Sequence, residues 1–191
     1  MHERLEIAAL VGSLRRESFT RQLVHALAKL ADASLHIEIV PLGGLPLYNQ
    51  DDEANPPSPW LEFRARIQRA DAVLFATPEY NRSVPGCLKN AIDVGSRPYG
   101  KSVWQGKPAA IVSASPGAVG AFGAHHHLRQ SLVFLDMPTM QQPEIYIGGA
   151  DKLVNAAGEI TVPATRELCA KFLKSFESWV RRVGDSGSRK V

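Results

Sequence analysis

The chain has 191 residues, 45% of them apolar, with 22 Lys and Arg against 19 Asp and Glu, a net charge of +3. That length suits one domain and that composition a globular one, which excludes a disordered or fibrous chain. The pI is near 9.0, but the cations are scattered apart from Arg15-Arg16, Arg181-Arg182 and Arg189-Lys190, so no nucleic-acid partner is expected.

No apolar run reaches the roughly 20 residues of a membrane span, and residues 1–12 lack the apolar core of a signal peptide, so no membrane partner is expected. Cys87 and Cys169 match no metal or redox spacing and fit a reducing compartment. The expected location is the cytoplasm.

Apolar runs then alternate with helical patterns. Leu5–Val11 reads as a strand, and Phe19, Leu23, Leu27 and Leu30, at three- and four-residue steps, predict a helix over 19–31. Leu35–Val40 alternates strictly, which predicts an edge strand. Residues 41–59 carry Pro41, Gly43, Gly44, Pro46, Pro56, Pro57 and Pro59 and predict a long loop, functional or disordered. Trp60, Phe63 and Ile67 predict a helix over 60–69. Ala72–Thr77 and residues 109–113 read as strands buried on both faces, with a helix over 86–95 between them. A helix over 120–135 places Leu128, Leu132 and Leu135 on one face. A strand region at 145–147 and a closing helix over 163–182 (Leu168, Phe172, Phe176, Val180) complete the pattern. Residues 184–191 have no apolar side chain before Val191, which predicts a disordered tail on a single domain of residues 1–183.

Strands alternating with helices imply right-handed crossovers. The expected fold class is therefore α/β: a doubly wound five-stranded parallel sheet, order 2-1-3-4-5, of the flavodoxin kind, with helices on both faces. In such a sheet ligands bind beyond the carboxyl ends of the strands, which selects three loops.

The first runs from Gly12 to Thr20. Gly12 permits a tight turn, Ser13, Ser18 and Thr20 offer hydroxyls, the helix start offers free amides, and Arg15 offers a planar donor fork for a phosphate. The same residues also read as a plain Ser N-cap with surface arginines. Neither a Walker ending nor a Gly-x-Gly-x-x-Gly turn is present, so a phosphomonoester suits the loop better than a pyrophosphate.

The second, Thr77 to Gly86, is stiffened by Pro78 and Pro85. It carries Glu79, Tyr80, Asn81 and Ser83, and its backbone amides suit a flat heterocycle. The third, Ser113 to Gly123, has Ser115, Gly117 and Gly120 among small residues that let a ring approach the backbone. Each of these also reads as a turn that caps the following helix.

His125-His126-His127 is not a metal site, because successive helical residues point about 100° apart. Cys87, at a helix start, is a place where a thiol pKa can fall, although a small buried residue is the simpler reading.

With these loops the chain resembles the NADPH-dependent FMN reductase family, in its chromate/quinone reductase branch. The resemblance rests on Gly12-Ser13-Leu14-Arg15, Thr77-Pro78-Glu79-Tyr80-Asn81, Ser83-Val84-Pro85-Gly86, Leu88-Lys89-Asn90-Ala91-Ile92-Asp93 and His127-Leu128-Arg129-Gln130. It implies bound FMN, with Ser13, Arg15, Ser18, Phe19 and Thr20 around the phosphate. Pro78, Glu79, Tyr80, Asn81 and Ser83 then lie along the isoalloxazine ring, and Ser115, Gly117 and Gly120 form the third loop.

It further implies NADPH or NADH as co-substrate, a small-molecule electron acceptor (a quinone, chromate, an azo compound or free flavin) and a homodimer or homotetramer. No catalytic side chain and no metal are expected, because the flavin carries the hydride. Arg82, Arg97 and Lys101 are candidates for attracting the anionic nicotinamide cofactor. A non-enzymatic flavodoxin-type electron carrier is the alternative, against which stands the basic pI. The chain departs from the family pattern at Thr20, Ala121, Gly123 and Val94, where the family often has Asn, Gly, Arg and Trp.

Overall fold

Five strands and five α-helices alternate in the computed structural model, which describes residues 4–187. The strands β1 (Leu5–Val11), β2 (Leu35–Val40), β3 (Ala72–Thr77), β4 (Ala109–Ala114) and β5 (Ile145–Ile147) pair in parallel in the order β2-β1-β3-β4-β5. The helices are α1 (Phe19–Leu30), α2 (Ser58–Arg69), α3 (Gly86–Gly95), α4 (Phe122–Phe134) and α5 (Pro163–Gly187). This is the doubly wound, flavodoxin-like sheet that the alternation predicts.

The period-2 geometry of the strands divides the interior into two cores. Ile7, Ala9 and Val11 of β1 point to one face, with Leu74 of β3 and Val112 of β4, and pack against Leu23 and Leu27 of α1 and Phe172 and Phe176 of α5. Ala8 and Leu10, with Phe75 and Ile111, point to the other face and meet Trp60 of α2, Leu88 of α3 and Leu128 of α4. The central strands β3 and β4 are buried along their whole length, which is why they read as unbroken apolar runs. β2 alternates because it is an edge.

Several boundaries differ from expectation for local reasons. α4 starts at Phe122 rather than at 120, because Gly120 (φ 62°) and Ala121 (φ 63°) are left-handed. α2 begins earlier, at Ser58, with Pro59 in its first turn, where a missing N–H costs nothing. The 41–59 segment is ordered and includes a short 3₁₀ turn, Gln50–Ala54. α5 runs to Gly187, past the expected domain end at 183, because a helix anchored by a buried face propagates at one hydrogen bond per added residue. The rest of the expected tail, 188–191, lies outside the described residues. No helix among the described residues is long and apolar enough to cross a membrane.

α3 ends against the fully buried Trp104, whose indole N–H donates to the Ile92 carbonyl at 2.9 Å. A Cβ on Gly95 would lie 2.4 Å from two atoms of that ring, whereas one on Gly86 would meet nothing within 4 Å. Gly95→Ala is therefore expected to cost about 1–3 kcal/mol by overpacking. It should appear as a lower urea midpoint at unchanged slope, with Gly86→Ala at or above wild-type stability.

Candidate active site

The carboxyl ends of β1, β3 and β4 lie side by side, since Val11 pairs with Ala76 and Thr77 with Ser113. The loops that leave them share one edge of the sheet. Gly12 sits where the first two loops touch. Its N–H donates to the Ala76 carbonyl at 2.8 Å, and a Cβ would lie 3.1 Å from Pro78, 3.2 Å from Leu88 and 3.4 Å from Pro85.

Beyond Gly12, Ser13 is buried and Leu14 to Glu17 are exposed. The Ser18 hydroxyl accepts the Arg21 N–H at 3.2 Å, as an N-cap does, and shares a 2.9 Å hydrogen bond with the Thr20 hydroxyl. One proton closes that shared bond, so one of the two hydroxyls keeps a proton for a ligand. Among the described residues the Phe19 and Thr20 amides have no backbone acceptor. The Arg15 guanidinium lies over the Phe19 ring, 4.6 Å from its centroid, which orients the fork without an acidic partner. Capping and donor-rich cradle are thus both present. A set composed of free amides, hydroxyls and an unneutralised arginine fits a phosphate monoester.

The second loop is a two-residue hairpin. Tyr80 and Ser83 exchange backbone hydrogen bonds of 3.2 and 3.0 Å around Asn81 (φ 51°) and Arg82 (φ 63°), the geometry of a type I′ turn. Asn tolerates this conformation, but Arg82 carries a penalty of about 1–2 kcal/mol. The hairpin is tied to α4 from both ends. Glu79 Oε2 accepts the Ala124 N–H at 3.1 Å, and the Ser83 hydroxyl meets His127 Nδ1 at 3.1 Å. The Glu79 carboxylate is therefore engaged in capping α4, and what this residue retains for a ligand is its backbone amide. Gly123 makes that cap possible, because a Cβ there would lie 2.9 Å from Glu79 Oε2.

The third loop is held mostly by its own backbone. The Ser115 hydroxyl donates to the Gly117 carbonyl at 3.1 Å, and the Ser115 amide to Ile147 at 2.9 Å. Gly120 is obligatory for a structural reason: its φ is positive, and a Cβ would lie 2.6 Å from the Tyr146 backbone. Gly117 is exposed, with only Ser115 Oγ near a built Cβ.

The three histidines diverge to three partners. His127 reaches Ser83, His126 Nε2 meets the Tyr146 hydroxyl at 3.1 Å, and His125 is fully buried. The Ser113 hydroxyl donates to the Gly120 carbonyl at 2.7 Å, so His125 Nδ1 must donate to Ser113 Oγ at 3.3 Å. That leaves Nε2 buried without a partner. Burial, reinforced by the Arg129 charge, pushes the His125 pKa down to about 4. Tyr146 donates to Glu144 at 2.6 Å, and Glu144 pairs with Arg129 at 3.2 Å; burial and that carboxylate raise the Tyr146 pKa.

Two contacts escaped the sequence reading. The Asn90 side chain accepts the Tyr48 N–H at 2.8 Å and donates to the Leu45 and Pro46 carbonyls, which pins the 41–59 segment to α3. Arg97 is bonded to Glu53 at 2.7 Å and to the Tyr48 hydroxyl at 3.0 Å, so it is not free to attract a cofactor. Arg82 makes only a 3.6 Å pair with Glu79 and is 86% exposed, while the Lys101 side chain has no ion pair among the described residues. Cys87 is half-buried, and burial raises its thiol pKa, contrary to the activated-thiol option. Asn90, the buried asparagine that makes the 41–59 contact, is masked in the sequence by its place in an apolar helix pattern.

The sheet order defines a flavodoxin-like α/β protein, with donor-lined loops at the carboxyl edge of its sheet. The chain belongs to the NADPH-dependent FMN reductase family, whose model matches residues 5–152 and so spans all three loops. It is 59% identical over 182 residues to a quinone reductase of Pseudomonas putida, covering 95% of this chain and 97% of that one. It is 48% identical to a 2-hydroxy-1,4-benzoquinone reductase of a Burkholderia species, covering 93% and 97%. Among solved structures, FerB, a flavoenzyme NAD(P)H:(acceptor) oxidoreductase from Paracoccus denitrificans, superposes with a TM-score of 0.89 at 40% identity, covering 93% of this chain and 98% of that one. The protein is an NAD(P)H-dependent flavin oxidoreductase with FMN as its cofactor.

His125 makes stability pH-dependent at this site. Its folded pKa of about 4 lies below the ordinary histidine value of about 6.5, so the unfolded chain binds the extra proton and stability falls as pH drops between the two. The loss expected by pH 4 is on the order of 3 kcal/mol. Urea unfolding at pH 7 and pH 4.5 should show that extra loss in wild type and lack it in His125→Gln.

Proposed function

We propose that the enzyme transfers two electrons from NAD(P)H to a quinone through FMN held by the three loops. The observation that carries this reading is the full-length identity to the Pseudomonas putida quinone reductase, which includes all three loops. FMN, when bound, supplies the hydride chemistry. The chain supplies position: Ser13, Arg15, Phe19, Thr20 and the Ser18–Thr20 hydroxyl pair around the phosphate, and Pro78 with the amides of Glu79, Asn81 and Arg82 along the ring. Ser115, Gly117 and Gly120 keep the third loop low beside it.

No side chain is required as nucleophile or base. Donor and acceptor would take turns at the FMN that these loops would hold, which predicts ping-pong kinetics. The proposal extends to chromate, azo compounds and free flavin as further acceptors. A homodimer or homotetramer is part of the proposal, supported by Tyr99 and Phe134, which are 92% and 90% exposed, beyond what an isolated surface needs. A cytoplasmic setting accords with the free thiols of Cys87 and Cys169.

Stopped-flow mixing of the purified holoenzyme with NADPH or NADH, followed by benzoquinone, tests the reading. Bleaching of the flavin band and its return on quinone addition are expected, and a flavin that the quinone fails to reoxidise sinks it. Arg15→Ala should weaken FMN binding by one to two decades, the worth of one charge-assisted contact at about 1.5–3 kcal/mol, with an unaltered circular dichroism spectrum. Undiminished retention of FMN would remove Arg15 from the phosphate site.

A further inference from the structure

The hairpin Tyr80–Ser83 has more strain than support of its own. Both central residues, Asn81 and Arg82, have positive φ without being glycine, and two backbone hydrogen bonds close the turn. A hairpin of that size does not hold itself in water. Its side-chain supports among the described residues come from outside, from successive turns of α4: the Ala124 N–H on Glu79 and the His127 ring on Ser83. His127 is exposed on α4, so it contributes nothing to the core beneath, and the same helix buries Leu128 and Leu132 on its inner face. Among the described residues the His127 side chain therefore has one hydrogen bond through which to act.

We propose that His127 is a positioning residue for the flavin-ring loop. By hydrogen-bonding the Ser83 hydroxyl through Nδ1, it holds the hairpin closed in the register that would present the Asn81 and Arg82 amides to the ring. The inference rests on the proposed placement of the ring along this loop. An asparagine amide can occupy the Nδ1 position and keep the bond, whereas leucine cannot.

The test compares wild type, His127→Leu, His127→Asn, Ser83→Ala and the His127→Leu/Ser83→Ala double variant. In FMN-free protein, the Tyr80 and Ser83 amides should exchange hydrogen about tenfold faster in His127→Leu and in Ser83→Ala, and at the wild-type rate in His127→Asn. Titrated with FMN, His127→Leu should bind about tenfold more weakly and show a shifted visible flavin band. His127→Asn should restore both, and the double variant should be no weaker than the worse single one. Wild-type exchange rates in His127→Leu, or losses that multiply in the double variant, would overturn the inference. A wild-type protein that takes up no FMN would instead refute the flavin reading, while the exchange comparison would still decide what His127 does for the hairpin.

Discussion

The first two loops meet at Gly12, where a Cβ would be tightly crowded. Gly12 donates to Ala76 and has Pro78, Pro85 and Leu88 within 3.4 Å of where a Cβ would stand. That close approach packs the turn after β1 against the turn after β3. The loop at the start of α1 and the loop before α3 therefore share one surface. A cofactor held by both, as proposed, would need this, because its anchors must keep a fixed separation. The parallel sheet supplies the coarse placement by sending every strand's carboxyl end to the same edge.

α4 is the second constraint. Its first turn is capped by Glu79 from the ring loop, and its buried His125 is tied through Ser113 to the Gly120 carbonyl of the third loop. One helix thus connects the loops after β3 and β4. The left-handed Gly120-Ala121 pair sets its starting direction. Gly123 is the departure from the family pattern with the clearest consequence, since it leaves room for the Glu79 carboxylate over the helix start. Val94, where the family often has Trp, is fully buried in the α2–α4 core and away from solvent.

Much of this was legible in the sequence, for identifiable reasons. β1, β2 and β3 were readable to the residue because two-sided burial leaves continuous apolar runs and an edge leaves alternation. The donor groups of the Gly12–Thr20 turn were legible because amides at a helix start and small hydroxyls are local features. The Asn90 clamp, the Arg97–Glu53 pair and the Ser83–His127 bond were not, because they join residues 40 or more positions apart, and no local pattern encodes such a partner.

The sequence by itself determined the fold class, the three loops and, through its motifs, the family. These follow from periodicity and turn chemistry, which act over a few residues. Only the tertiary structure decided what each polar side chain does. Glu79 caps a helix, Arg97 is neutralised, Cys87 is half-buried with its thiol pKa raised, and three adjacent histidines serve three different contacts. The physical reason is that a side chain's role is set by which groups surround it, and that is fixed when helices and loops distant in the chain pack against one sheet edge.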